Sequence, residues 1–167
     1  AIANGFLYIG SEDHSLYQLN ATNISHQVAS FETGDKIYSS PTVANGYLYV
    51  GSWDNNIYQL NATNISQQIA NFTTIDWIYD SSPAVANGYM YIGAEDHNVY
   101  QLNATNISQK IAEFTTGNPI QVSSPAVANG CVYIGSDDSK VYQLNASNIS
   151  QEIANFTTGS IVQSSPA

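Results

Sequence analysis

Residues 81–117 read SSPAVANGYMYIGAEDHNVYQLNATNISQKIAEFTTG, and this unit recurs four times with small changes until the whole chain is used up. Its Ala-Asn-Gly triplet falls at Ala3-Asn4-Gly5, Ala44-Asn45-Gly46, Ala86-Asn87-Gly88 and Ala128-Asn129-Gly130, so successive copies start 41, 42 and 42 residues apart. A fixed period of that length marks a chain built by stacking one supersecondary unit, as solenoids and propellers are. The copies divide the chain into repeats 1–41, 42–83, 84–125 and 126–167 of a single domain.

Within the second copy, four runs rich in Tyr, Val, Ile and Leu have strand length and composition: SSPTVA (39–44), YLYVGS (47–52), NIYQLN (56–61) and QIANFTT (68–74). Asn45-Gly46 separates the first two, and an Asn-Gly pair supplies the positive φ angles of a tight hairpin. Ser52-Trp53-Asp54-Asn55 separates the next two, and the ATNIS segment, rich in side chains that bond their own backbone, separates the last two. No stretch sustains a 3.6-residue apolar period, so no helix is expected. Leu48 and Val50 alternate with Tyr47 and Tyr49, which leaves neither face charged. A sheet apolar on both faces must be covered on both. Four-stranded antiparallel sheets stacked face to face around an axis meet that need, so the expected fold is an all-β propeller with four blades per chain. A linear solenoid gives no reason for four strands per period.

Across the whole chain the repeat resembles the blade of the pyrroloquinoline-quinone-like propellers, which reads S-P-x-V, then G-x-[VL]-Y-[VI]-G-S-x-D, then [VL]-Y-x-L-[DN]-A. The resemblance implies blades whose strands run outward from the axis in chain order. This chain departs from it twice. Phe31, Phe72, Phe114 and Phe156 stand where the family often has a Trp docked on the neighbouring blade. The family's rings usually close with seven or eight blades, and here there are four. The first run starts at Ala1-Ile2-Ala3, while Ser164-Ser165-Pro166-Ala167 repeats the opening of that run. Strand exchange between these ends would close a four-bladed ring, join two chains into an eight-bladed ring, or link chains head to tail into a fibre.

Three Lys, no Arg and 13 acidic residues give a net charge of −10. Phosphate-backbone binding needs the cations this chain lacks, so nucleic acid and anionic membrane are poor partners, and no apolar run is long enough for membrane insertion as a helix. Cys131, the one cysteine, takes the slot of Phe6, Tyr47 and Tyr89 and reads as a packed core thiol.

The N-x-[ST] acceptor pattern occurs at Asn20, Asn23, Asn61, Asn64, Asn71, Asn103, Asn106, Asn145, Asn148 and Asn155. One reading is a turn whose Asn and Thr side chains cap backbone groups. The other is an extracellular or cell-surface protein bearing N-linked glycans, with Asn23, Asn64, Asn106 and Asn148 the better acceptors of each pair. The loops expected on the opposite face vary between copies: those after the second run, carrying His14, Trp53 and His97, and the blade-to-blade loops, carrying Tyr38, Trp77 and Tyr79. Variation confined to one face fits a binding surface, and relaxed constraint on surface turns predicts the same pattern. Exposed aromatics are costly unless they meet something, so Tyr38, Trp53, Trp77 and Tyr79, with His14 and His97, form the candidate site.

Catalysis has little support. A quinoprotein dehydrogenase of this family would carry a vicinal Cys pair, a Trp platform and calcium ligands. Asp13, Asp54, Asp96 and Asp138 recur at one turn position, where an Asp is usually a backbone cap. The His residues do not cluster at ligand spacing, and no calcium loop appears, so no cofactor and no metal are expected. The sequence therefore reads as a non-enzymatic extracellular propeller that binds itself, another surface protein or a glycan. A scaffold like the bacterial outer-membrane assembly lipoproteins, which the blade also resembles, is the alternative, and a quinoprotein dehydrogenase fragment is a third.

Overall fold

The computed structural model describes residues 1–167 and contains sixteen strands and no helix. The first sheet comprises β1 (Ile2–Ala3), β2 (Phe6–Gly10), β3 (Ser15–Asn20) and β4 (Asn23–Glu32). The second comprises β5 (Thr42–Ala44), β6 (Tyr47–Gly51), β7 (Asn56–Asn61) and β8 (Asn64–Thr73). The third comprises β9 (Ala84–Ala86), β10 (Tyr89–Gly93), β11 (Asn98–Asn103) and β12 (Lys110–Thr115), and the fourth β13 (Ala126–Ala128), β14 (Cys131–Ser136), β15 (Lys140–Asn145) and β16 (Glu152–Thr157). Each sheet is antiparallel with its strands in chain order, which is the blade of a β-propeller.

The hairpin between β5 and β6 turns at Asn45 (φ 53°) and Gly46 (φ 82°), both left-handed, as an Asn-Gly turn requires. The innermost strands are shorter than the SSPTVA run suggests. Pro41 has no N–H to offer a ladder. Ser39 Oγ instead accepts the Gly51 N–H at 3.2 Å, and the Ser40 N–H donates to Ser82 Oγ of the next blade at 2.9 Å. Ser39 thus holds its own blade and Ser40 fastens it to the next, which leaves the three residues Thr42–Ala44 as strand.

Alternation along each strand gives every sheet two apolar faces, and the core lies between sheets. Tyr49 and Ile57 of the second sheet meet Met90, Ile92, Leu102 and Ile107 of the third in one buried cluster, and the other two interfaces repeat it. The phenylalanines in the docking slot fill it edge-on: Phe31 lies 5.1 Å from Tyr58, Phe72 5.2 Å from Tyr100 and Phe114 5.2 Å from Tyr142. Each sheet receives a β-branched side chain, Ile37, Ile78, Ile120 or Val162, where its strand must be bare. A Cβ on Gly51 would stand 2.2 Å from Ile78 Cγ2, so only glycine fits there.

A polar pair reads the next blade's backbone at each interface. The Tyr8, Tyr49 and Tyr91 hydroxyls donate to the Ala62, Ala104 and Ala146 carbonyls, each at 2.5 Å. Gln59 Nε2 donates to that same Ala104 oxygen at 3.1 Å, while its Oε1 accepts the Ile107 N–H at 3.1 Å. Gln18 and Gln101 act likewise on Ile65 and Ile149. All these links join consecutive sheets and no hydrogen bond joins the fourth to the first. The four blades therefore form an open arc, and the ring does not close within one chain. Ala1 already pairs with Tyr8 in both directions, at 2.8 and 2.9 Å, and Ser164–Ala167 forms no strand.

Candidate functional site

The turns between the second and third strands of each blade are set by aspartate. Asp54 Oδ1 accepts the Asn56 N–H at 2.9 Å, while Asn55 takes the left-handed φ of 69°. Asp54 Oδ2 accepts the Tyr58 hydroxyl at 2.7 Å and the Gly34 N–H of the preceding linker at 2.6 Å. One carboxylate thus shapes its turn, holds its own strand and fastens the previous blade. Asp96 and Asp138 repeat all three bonds, whereas Asp13 in the first sheet makes the first two. The Tyr17 hydroxyl is the main cause holding the Asp13 carboxyl below its ordinary value. Burial, aided by the aspartates, pushes the Tyr58, Tyr100 and Tyr142 phenols well up.

This turn delivers Trp53 to the middle of an aromatic ladder. Its backbone N–H donates to Lys36 O at 3.0 Å, and its Nε1–H donates to Tyr79 O at 3.2 Å. Trp53 stacks on Tyr79 at 4.7 Å and on Trp77 at 5.7 Å with planes 5° apart, and Tyr38 leans on it at 4.8 Å. Tyr38 and Tyr79 stand 6.4 Å apart and nearly parallel. Lys36 Nζ lies 5.4 Å from the Trp53 ring centre and 3.7 Å from Glu12 Oε2. Four aromatics from three separate loops converge, and not all are exposed. Tyr38 and Trp77 are 40% and 48% exposed, whereas Trp53 and Tyr79 are half-buried and support them.

His14 and His97 stand outside the ladder. Each occupies the left-handed turn position, with φ 70°, that Asn55 and Ser139 fill in the other copies. His14 Nε2 lies 3.8 Å from Asp35 Oδ1 in the first blade, and His97 lies two blades away. Their common position is a backbone requirement, since a left-handed φ is uncommon for residues other than Gly and favours Asn, Asp and His.

Three residues of this face were not singled out from sequence. Lys36 stands in the slot of Trp77, while Gln121 and Gln163 stand in the slot of Tyr38 and Tyr79, with Gln163 Nε2 3.4 Å from Gln121 Oε1. Aligning the linkers on Ile37, Ile78, Ile120 and Val162 would have found them. The face therefore has an aromatic half on the first two blades and an amide half on the last two. Burial raises the Asp80 carboxyl and is the main cause raising that of Glu95.

The Asn-Gly and NATNIS turns share the opposite face, joined by bonds such as Ala62 N–H to Gly46 O at 3.0 Å. All eight Asn of the NATNIS turns accept both the N–H and the hydroxyl of the Ser or Thr two residues on, as Asn64 does from Ser66 at 3.2 and 2.7 Å. The Nδ2 groups of Asn61, Asn103 and Asn145 also donate to Gln67, Gln109 and Gln151, each at 3.0 Å. Those of Asn23, Asn64, Asn106 and Asn148 make no such bond. Asn71 and Asn155 lie on the outermost strands, with their Nδ2 groups on Asn56 and Glu152.

No family model and no curated protein matches the chain. Among solved structures it is similar to the computationally designed Ika8 protein, with a TM-score of 0.82 at 13% identity over 98% of this chain and 50% of that one. It is also similar to BamB from Moraxella catarrhalis, with a TM-score of 0.79 at 11% identity over 95% of this chain and 48% of that one. The likeness is one of fold. The chain spans about half the length of each.

Proposed function

We propose that this chain is a non-enzymatic propeller module of the pyrroloquinoline-quinone-like kind, acting at the cell surface or outside the cell, and that the aromatic ladder is its contact for a protein partner. The observation that carries the reading is the convergence of Tyr38, Trp53, Trp77 and Tyr79, from loops that differ between copies, into one stack with two exposed rings. Aromatic anchors set in a polar rim are the usual anatomy of a binding hot spot, and Glu12, Lys36, Asp76 and Asp80 supply that rim here. The recurrent aspartates support a non-catalytic reading, because each is committed to turn and strand bonds. Acceptor asparagines on the opposite face would leave the ladder free of glycans.

The test titrates Tyr38→Ser and Trp77→Ser variants against secreted and surface proteins of the source and against a glycan array. Both substitutions should leave folding within about 0.5 kcal/mol, as surface changes do. Protein binding should weaken by about 1–2 kcal/mol or more. Wild-type affinity in both variants, or binding confined to glycans, would overturn the assignment.

A further inference from the structure

The two uncovered faces of the arc are the two halves of the interface that already joins its blades. On the fourth sheet, Tyr133, Val141 and Gln143 occupy the positions of the buried Tyr49, Ile57 and Gln59, and Phe156 that of Phe72. They border a concavity of about 220 Å³. Gln143 has no neighbouring backbone to read, and its Nε2 turns to Cys131 Sγ at 3.2 Å in its own sheet. On the first sheet, Ile9 and Ile24 are 49% and 63% exposed, although Val50, Ile92, Ile134, Ile65, Ile107 and Ile149 at the same positions are fully buried.

The polar groups match one for one. Tyr133 and Gln143 lack the carbonyl and N–H that Ala21 and Ile24 leave unused. The Gly159 N–H lacks the aspartate that its counterpart Gly34 finds in Asp54, and Asp13 Oδ2 lacks the linker N–H. Ser40, Ser82 and Ser124 each donate an N–H to the next serine hydroxyl, in a series that ends at Ser165 and has Ser40 Oγ as its open acceptor.

We infer that a second copy of this chain covers both faces, the fourth sheet of each seated on the first sheet of the other, to make one eight-sheet ring. The curvature fits, since the arc superposes on half of each of two propellers. Two identical joints related by a twofold axis along the ring close the assembly, and no face remains to propagate a fibre. The joint needs no exchanged strand, because Ala1–Ala3 already fills the innermost place. Ser164–Ala167 would supply only the serine lead-in that Ser39 and Ser40 give the second blade. This inference stands apart from the ligand reading, which concerns a different face.

Native mass spectrometry and light scattering on unglycosylated chain should give twice 18.0 kDa. Ile24→Asp should keep the β-sheet circular dichroism of the wild type, because the site is open in the single chain, yet weaken pairing about 100-fold or more by burying an unpaired charge at the joint. Gln143→Leu should also weaken pairing from the other face. Ile69→Asp is the control, lying 48% exposed on an internal blade, and should leave the doubled mass intact. A wild-type mass that stays at 18.0 kDa through the micromolar range, an open series of multiples, or a doubled mass that survives Ile24→Asp would overturn the inference.

Discussion

Tyr49 and Gln59 share one acceptor, the Ala104 carbonyl, but do different work. Removing the Tyr49 hydroxyl leaves that oxygen its bond from Gln59 Nε2 at 3.1 Å. Removing the Gln59 amide strips the buried Ile107 N–H of its only acceptor. A net hydrogen bond contributes about 1 kcal/mol, whereas a buried donor left unsatisfied costs about 1–3 kcal/mol. Tyr49→Phe should therefore cost about 1 kcal/mol and Gln59→Leu more, read as a shift of the urea midpoint at constant slope. Equal shifts would show that water replaces the glutamine at Ile107. None of this pairing was visible in the repeat, because Tyr49 and Gln59 reach residues 55 and 45 positions away in the next copy. Their conspicuous feature in sequence, a Tyr and a Gln in otherwise apolar strands, is the signal that a polar link crosses the core.

At the scale of the elements, the alternation of Tyr47, Leu48, Tyr49 and Val50 and the Asn-Gly turn announced the two-faced hairpin, because those patterns are local. The innermost strand was harder to bound, since Ser39 Oγ accepts the Gly51 N–H of its own blade and the Ser40 N–H donates to Ser82 Oγ of the next. The aromatic site was legible as residues but not as a stack, because its order depends on how the Trp53 turn docks on the preceding linker. The NATNIS turn carries a prediction of its own. Both Asn of each pair are held by the same Ser or Thr bonds, yet in the last three blades the earlier one has its Nδ2 tied to a glutamine. That nitrogen is the atom a glycan must take. Replacing Ser25, Ser66, Ser108 and Ser150 by Ala should thus remove more glycan mass in the natural host than replacing Thr22, Thr63, Thr105 and Ser147. Intact-mass measurement decides, and equal or reversed losses would show that the free amide does not govern acceptance.

For the molecule as a whole, stability is spread over repeated interfaces, and no blade has a core to itself. A change that acts on the interfaces together should act on the fold as one event. Alkali is such a change. Burial, chiefly, raises the Tyr49 and Tyr91 phenols from the ordinary 10.0 to about 12. The folded chain therefore holds these protons more tightly than the unfolded chain does. Between pH 10.0 and about 12 the unfolded state binds fewer protons, so the unfolding free energy falls as pH rises. The stabilisation is complete below pH 10.0 and is lost as the pH climbs through the folded value. A melt followed by circular dichroism should hold its midpoint through mildly alkaline pH and then drop steeply above pH 10.0 in a single transition. In Tyr49→Phe/Tyr91→Phe the starting midpoint should be lower and the alkaline drop shallower, because two of the phenols that couple folding to the proton are gone while Tyr58, Tyr100 and Tyr142 remain. An alkaline drop of the same depth in that double variant would place the sensitivity in the remaining raised phenols, Tyr58, Tyr100 and Tyr142, and not in the Tyr49 and Tyr91 links.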